Sequence, residues 1–229
     1  MKIEQGLRST DIQFGTSGAR GLVAHWRNDV VAAYTLAFVQ TLQQQGIQLD
    51  RLALGIDRRP SSPCMAAVIA GVLQACGIEV DYFGILPTPA LALHAMKQGS
   101  PAIMVTGSHI PYDRNGLKFY RPDGEIDKHD EALLCSQQGN IPDYKPFLPA
   151  TDDRALETYF QRYTRPFTPS VLKGWRIGLY QHSAAGREVS LRILQTLGAT
   201  VICLGASETF VALDTERFAC RSATCEILG

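Results

Sequence analysis

The sequence predicts an α/β protein: a mixed, mostly parallel sheet sandwiched by helices, followed by an incomplete second α/β domain of the same type. Three observations lead there. From residue 52, short apolar runs alternate with longer stretches of helical period, joined by short links, as parallel strands with crossover helices require. Glycine and proline fall at the boundaries of these runs rather than inside them. Between about 140 and 155 the periodicity lapses in "NIPDYKPFLPATDD", and a new strand–helix–strand alternation then begins.

Taken in order, "NDVVAAYTLAFVQTLQQQG" is a helix stopped by Gly46. "RLALGID" is a short apolar strand ending in Asp57, and "RRPSSPCMAAVIAGVLQACG" then supplies serine caps, Pro63 in the first turn, an apolar helix and a stop at Gly77. "IEVDYFGI" is the next strand, and Pro87 and Pro89 bracket the turn into the helix "ALALHAMKQG". "PAIMVTG" is a third strand, and "DKHDEALLCSQQG" a further helix. After the proline-rich stretch come helix "DDRALETYFQRYT", strand "GWRIGLYQHS", helix "AAGREVSLRILQTLG" and strand "ATVICLG". The expected division is 1–150 for the first domain and 151–229 for the second. The second is shorter than the roughly 100 residues usual for such a unit, so a truncated domain is expected, with a poorly patterned end in "ERFACRSATCEILG".

The 229 residues carry 22 basic and 22 acidic side chains, so no net charge draws nucleic acid or an acidic membrane surface. The two tryptophans, Trp26 and Trp175, show no pattern of stacking with basic residues. Six cysteines are scattered without a CxxC pair, which speaks against a zinc knuckle or dithiol motif. Cys64 and Cys76 lie in an apolar stretch where buried thiols are common. The N-terminus lacks an apolar leader, and no run of eighteen apolar residues occurs. A cytoplasmic, reduced protein with a small-molecule substrate is expected, with neither nucleic acid nor membrane as partner.

Ligands of open parallel sheets sit at the carboxyl ends of the strands, and three polar clusters follow or flank such strands. "FGTSGARG" (14–21) offers glycines, Thr16, Ser17 and the five-donor fork of Arg20, suited to phosphate or carboxylate. It is neither a Walker A loop nor GxGxxG, and a structural turn is the competing reading. "GIDRRPSSP" (55–63) could hold an anion at a helix N-terminus, or its serines could be plain caps and its arginines solvated. "TGSHIPYDRNGLKFY" (106–120) brings Ser108, His109, a turn pair Asn115–Gly116 and Lys118 after a buried strand. Ser108 is not in G-x-S-x-G, and His109, its immediate neighbour, need not reach the hydroxyl, so a hydrolase elbow is unsupported. A phosphorylated Ser108 would instead present a dianion in need of cations, for which Arg20 and Lys118 are the candidates. His94, His129 and His182 are read as structural or solvated, as is the turn Asp123–Gly124–Glu125.

These three motifs, in this order and at these distances, resemble the phosphohexomutase superfamily of phosphomannomutases and phosphoglucomutases. "GWRIGLYQHSAAGRE" and "ETFVALDTE" resemble the first half of that family's second domain, so the likeness runs from about residue 12 to about 216. It implies that Ser108 bears the transferred phosphate and, through it, helps bind Mg²⁺. It also implies that His109 lines the pocket and handles substrate, and that Arg20 and Lys118 bind phosphate or substrate; Thr16 and Ser17 of the glycine-rich segment are expected to bind phosphate or substrate as well. Arg20 and Lys118 would further stabilise charge and move protons. The implied reaction interconverts hexose 1-phosphate and hexose 6-phosphate through a bisphosphate, with hexose 1,6-bisphosphate as activator. Two departures stand out: the family's T-A-S-H-N-P loop reads Thr106-Gly107-Ser108-His109-Ile110-Pro111 here, and the D-G-D-x-D-R metal segment of the second domain is absent, as are the sugar- and phosphate-reading third and fourth domains. The resemblance therefore implies that C-terminal domains are needed for activity and that this chain alone is inactive. The alternative expectation is a non-catalytic remnant or binding module that keeps the fold.

Overall fold

The computed structural model describes residues 2–8, 12–15 and 18–211. Its centre is the alternation expected from the apolar pattern. β3 (Arg51–Ile56) lies between β4 (Glu79–Ile85) and β5 (Ala102–Val105) and is parallel to both. α3 (Ser62–Ala75) and α4 (Thr88–Gln98) form the crossovers. Gly99, at φ 62°, ends α4 in the left-handed conformation that costs glycine nothing.

The flank of the sheet is antiparallel. β6 (Arg114–Arg121) runs against β5, β2 (Gly18–Leu22) against β6, and the short β1 (Gln13–Phe14) closes that edge, while β7 (Gly124–Glu125) turns back on β6. The resulting seven-stranded order is β1-β2-β6-β5-β3-β4, with β7 paired to β6. Asn115–Gly116, expected as a turn pair, lies inside β6 instead. Gly116 is there because a Cβ would stand 2.5 Å from the Ala19 carbonyl of the neighbouring strand.

Helices cover both faces. α2 (Asn28–Gln44) and α3 press Phe38, Leu42, Ile69 and Leu73 against Leu52, Leu54, Ile103 and Phe119, with the Phe38 and Phe119 rings 4.8 Å apart. α1 (Ile3–Arg8) and α5 (Lys128–Ser136) flank α2. Asp127 caps α5 by accepting from the backbone N–H of His129 and Asp130. On the opposite face α4 and α6 (Arg154–Thr164) bury Leu91, Ala95 and Ala155 over Ala53, Met104 and Tyr120. Each large apolar side chain so buried contributes roughly 1.5–3 kcal/mol.

The proline-rich stretch carries no helix or strand between 141 and 153, yet it is a strap rather than a free tether. Ile141, Tyr144 and Phe147 pack on the first core, and the Phe147 N–H donates to the Ala67 carbonyl at 3.1 Å. Beyond it, β8 (Arg176–His182), α7 (Arg187–Thr196) and β9 (Thr200–Ala206) make a second, two-stranded parallel sheet with one helix. Its apolar interior is thin: Val189, Leu197 and Ala199 are buried, while Tyr180, Ile202 and Leu204 are exposed. Cys64, expected to be buried, is exposed at the solvent edge of α3; Cys76 is half-buried, and Cys220 and Cys225 lie outside the described residues. Among the described residues no helix is long and apolar enough to cross a membrane.

Candidate active site

β5 ends at Val105, at the carboxyl edge of the parallel strands, and the chain enters Thr106–Pro111 there. Ser108 adopts φ 50°, a left-handed conformation that is strained for a residue with a Cβ. Such strain persists only where surrounding contacts enforce it. Here the Ser108 N–H donates to Thr106 Oγ1 at 2.9 Å, and Thr106 Oγ1 donates in turn to Asp57 Oδ2 at 2.9 Å. Ser108 and His109 are left exposed, with Ser108 Oγ 3.2 Å from His109 Nδ1, so the neighbouring imidazole does reach the hydroxyl.

The motif after β3 is the clamp under this loop. Arg59, only 2% exposed, donates from Nη1 to the carbonyls of Pro111 and Arg114, both at 2.8 Å, and from Nη2 to those of Ile110 at 2.7 Å and Ser108 at 3.4 Å. Its Nε lies 3.4 Å from Asp57 Oδ2, near enough for charge attraction. Burial lowers the Arg59 pKa, and the Asp57 carboxylate opposes that shift. Asp57 also accepts from the Arg59 N–H, the Gly107 N–H and the Ser62 hydroxyl at 2.9, 3.1 and 2.7 Å. Asn115, wholly buried, donates to the hydroxyls of Ser61 and Ser62 at 2.8 and 3.0 Å and accepts from the Gly116 N–H. Gly107 is required by this packing, because a Cβ there would run into the Arg59 guanidinium.

Two clefts flank the loop. The first, about 350 Å³, lies between the two sheets and is lined by Asp57, Arg58, Ser108, His109, His182 and Phe210 among others. Arg58 crosses it to Glu188 on α7 at 2.8 Å, and Phe210 lies over the Arg59 guanidinium, 4.7 Å from ring centroid to Cζ. The second, about 610 Å³, is lined by Gln13, Phe14, Gly15, Arg20, Leu22, Ile110, Pro111 and Arg114. Ser108 and His109 thus face one cleft, while Ile110 and Pro111 face the other.

The structure brings together Ser108 and His109 but sets Arg20 across the loop, in the second cleft. Lys118 lies on β6 opposite Gly18 and Met104, on the same sheet face as Arg20, with its ammonium 3.6 Å from Glu125. Glu125, expected to be solvated, therefore has a partner. Thr16 and Ser17 lie outside the described residues. His182 lines the first cleft at φ 33°. Asp57, Arg59 and Asn115 emerge as the residues that hold the loop. In the sequence, the Arg58–Arg59 pair gave no sign of which arginine goes inside. Among the described residues no carboxylate is hydrogen-bonded to His109, so a hydrolase triad is not assembled. Nor do any three His, Cys, Asp or Glu side chains among them cluster as metal ligands.

Comparison with known proteins gives a consistent set. Residues 11–143 match the family model described as phosphoglucomutase/phosphomannomutase, alpha/beta/alpha domain I. A protein of Salmonella muenchen named phosphomannomutase is 47% identical over 210 residues, covering 92% of this chain and 44% of its own length. One of the same name from Sinorhizobium fredii is 41% identical over 226 residues, covering 95% and 47%. A solved phosphoglucomutase/phosphomannomutase family protein from Burkholderia thailandensis superposes with a TM-score of 0.69 at 21% identity, over 87% of this chain and 44% of that one. The chain spans about half the length of the curated relatives it matches.

Proposed function

The chain belongs to the phosphoglucomutase/phosphomannomutase family, and from that premise we propose that Ser108 carries the phosphate of an intramolecular phosphotransferase that interconverts hexose 1-phosphate and hexose 6-phosphate. The observation that supports this most is the serine itself: held at φ 50° beyond a buried strand, over an arginine clamp, and exposed to a cleft. A free hexose hydroxyl attacks the phosphorus of phosphorylated Ser108, and its proton passes to His109 Nδ1. The bond from phosphorus to Ser108 Oγ breaks, its electron pair stays on Oγ, and the hexose bisphosphate forms. His109 Nδ1, 3.2 Å from Oγ, is positioned to return a proton to it. In the second half the other phosphate returns to Ser108 by the reverse bond changes.

Arg20 and Lys118 supply positive charge on one sheet face. The Lys118–Glu125 pair is partly exposed and therefore weak, so a phosphoserine dianion can compete for the ammonium. Thr16 and Ser17 enter as phosphate-binding residues from the sequence of the glycine-rich segment 14–21. Mg²⁺ and the bisphosphate activator belong to the same proposal. Bound at the phosphoserine, Mg²⁺ would neutralise developing charge, but the described residues offer no acidic ligand set for it. In this reading turnover needs domains of the kind that make up the rest of the relatives' length, whereas phosphorylation of Ser108 needs this chain alone.

Intact mass after incubation with glucose or mannose 1,6-bisphosphate and Mg²⁺ tests the assignment. An increase of about 80 Da, mapped to Ser108 and absent from Ser108→Ala, is expected. Label on another residue overturns the choice of serine. Bisphosphate binding without label would describe a non-catalytic binding module instead.

A further inference from the structure

We propose that Phe210, supplied by the second unit, is a positioning residue for Ser108: its ring covers the Arg59 guanidinium, and Arg59 in turn fixes the serine loop. The ring centroid lies 4.7 Å from Arg59 Cζ. That guanidinium holds the carbonyls of Ser108, Ile110, Pro111 and Arg114, so the course of the chain around the strained serine depends on one side chain. Its longest bond is the one to Ser108 itself, at 3.4 Å.

The ring is held from its own side. The Ser207 N–H donates to the His182 carbonyl at 3.1 Å, and the Val211 N–H donates to Ser183 Oγ at 2.8 Å. Arg187, itself buried, donates from Nη1 to the carbonyls of Ser207 at 2.6 Å and His182 at 3.1 Å. The bonds that anchor the segment 207–211 therefore lie within the second unit, while its phenyl ring rests on the first. Phe210 borders both the cleft that holds Ser108 and an adjoining cavity of about 520 Å³, lined by Val23, Pro60, Ser61 and Tyr112 among others. A smaller side chain would join the two spaces and let water compete for the Arg59 donors. Under the ring the guanidinium keeps those donors for the loop, because the π face attracts the cation and excludes water from that side.

That the positioned serine accepts phosphate rests on the mutase reading; the hold on the loop does not. Amide exchange of the full chain, read on the peptide spanning 106–115, tests the hold. The rate of Ser108 labelling by glucose 1,6-bisphosphate and Mg²⁺ tests its use. Phe210→Leu is expected to speed loop exchange and to slow labelling, each about tenfold, the scale of a lost desolvated cation–π contact, with exchange in β3 and β5 unchanged. Phe210→Tyr keeps the π face and is expected to stay within about twofold of the wild type on both readouts. Unchanged loop exchange in Phe210→Leu overturns the proposal, as does a Phe210→Tyr protein no better than Phe210→Leu. Faster loop exchange without slower labelling overturns the positioning role. A wild type that takes no label removes the mutase reading and leaves loop exchange to decide whether Phe210 holds the loop.

Discussion

Arg59 and Gly107 depend on each other. The arginine spends its donors on the backbone carbonyls of Ile110, Pro111 and Arg114, and the glycine leaves room for it. Lysine at 59 keeps the charge but loses the planar fork, so Arg59→Lys is expected to destabilise the protein by about 2–3 kcal/mol, the scale of lost hydrogen bonds from a charged group. Gly107→Ala is expected to cost about 1–3 kcal/mol by overpacking against the guanidinium. Urea unfolding measures both. A Gly107→Ala protein as stable as the wild type would show that the guanidinium yields freely. In the sequence Gly107 stands only as a departure from the alanine of the resembled family. In the structure it tightens the loop, because the consequence of a missing Cβ is set by what occupies its place.

At the level of elements, α4 and α6 meet through His94. Its Nδ1 lies 3.2 Å from Thr158 Oγ1 and its ring stands edge-on to Phe83 at 4.8 Å. Burial lowers the His94 pKa from its ordinary 6.5, and Arg154 adds to the effect while Asp152 and Asp81 oppose it. A histidine depressed in the folded state favours folding while it is neutral. Its contribution is present above about pH 6.5 and is lost as pH falls through the lowered value. The urea midpoint should therefore drop between pH 7.5 and 5.5 more steeply in the wild type than in His94→Gln, and parallel curves would remove His94 as the cause. These helices and the strands β3, β4 and β5 were legible because caps, stops and apolar period are local signals. The strands β1, β2 and β6 were not. Their glycines resemble loop residues, and only the partner strand explains them: a Cβ on Gly18 would collide with the Leu117 carbonyl. The site divides the same way. Ser108 stood out at a strand end, whereas the burial of Arg59 rather than Arg58 depends on which of them faces β5 after the chain has folded.

Across the whole molecule the two sheets differ in depth of core. The first holds Phe38, Phe83, Phe119 and many aliphatic side chains fully buried, while the second has Val189, Leu197 and Ala199 near the limit of burial. Amide hydrogen exchange should accordingly show β8, α7 and β9 opening well before β3 and β5, by several orders of magnitude in protection. Equal protection in the two sheets would mean that they unfold as one unit. The bridge between them, Arg58 to Glu188, is half in water, so it guides their approach more than it stabilises it. One consequence concerns motion. The serine loop is bonded through Arg59 to the sheet beneath it and is carried as part of that body. On the proposed relay Ser108 has to meet first one end of the sugar and then the other, and a stationary serine leaves the tumbling to the ligand. On that relay the gap between the sheets would serve as turning clearance for the bisphosphate, because the serine loop does not travel with it.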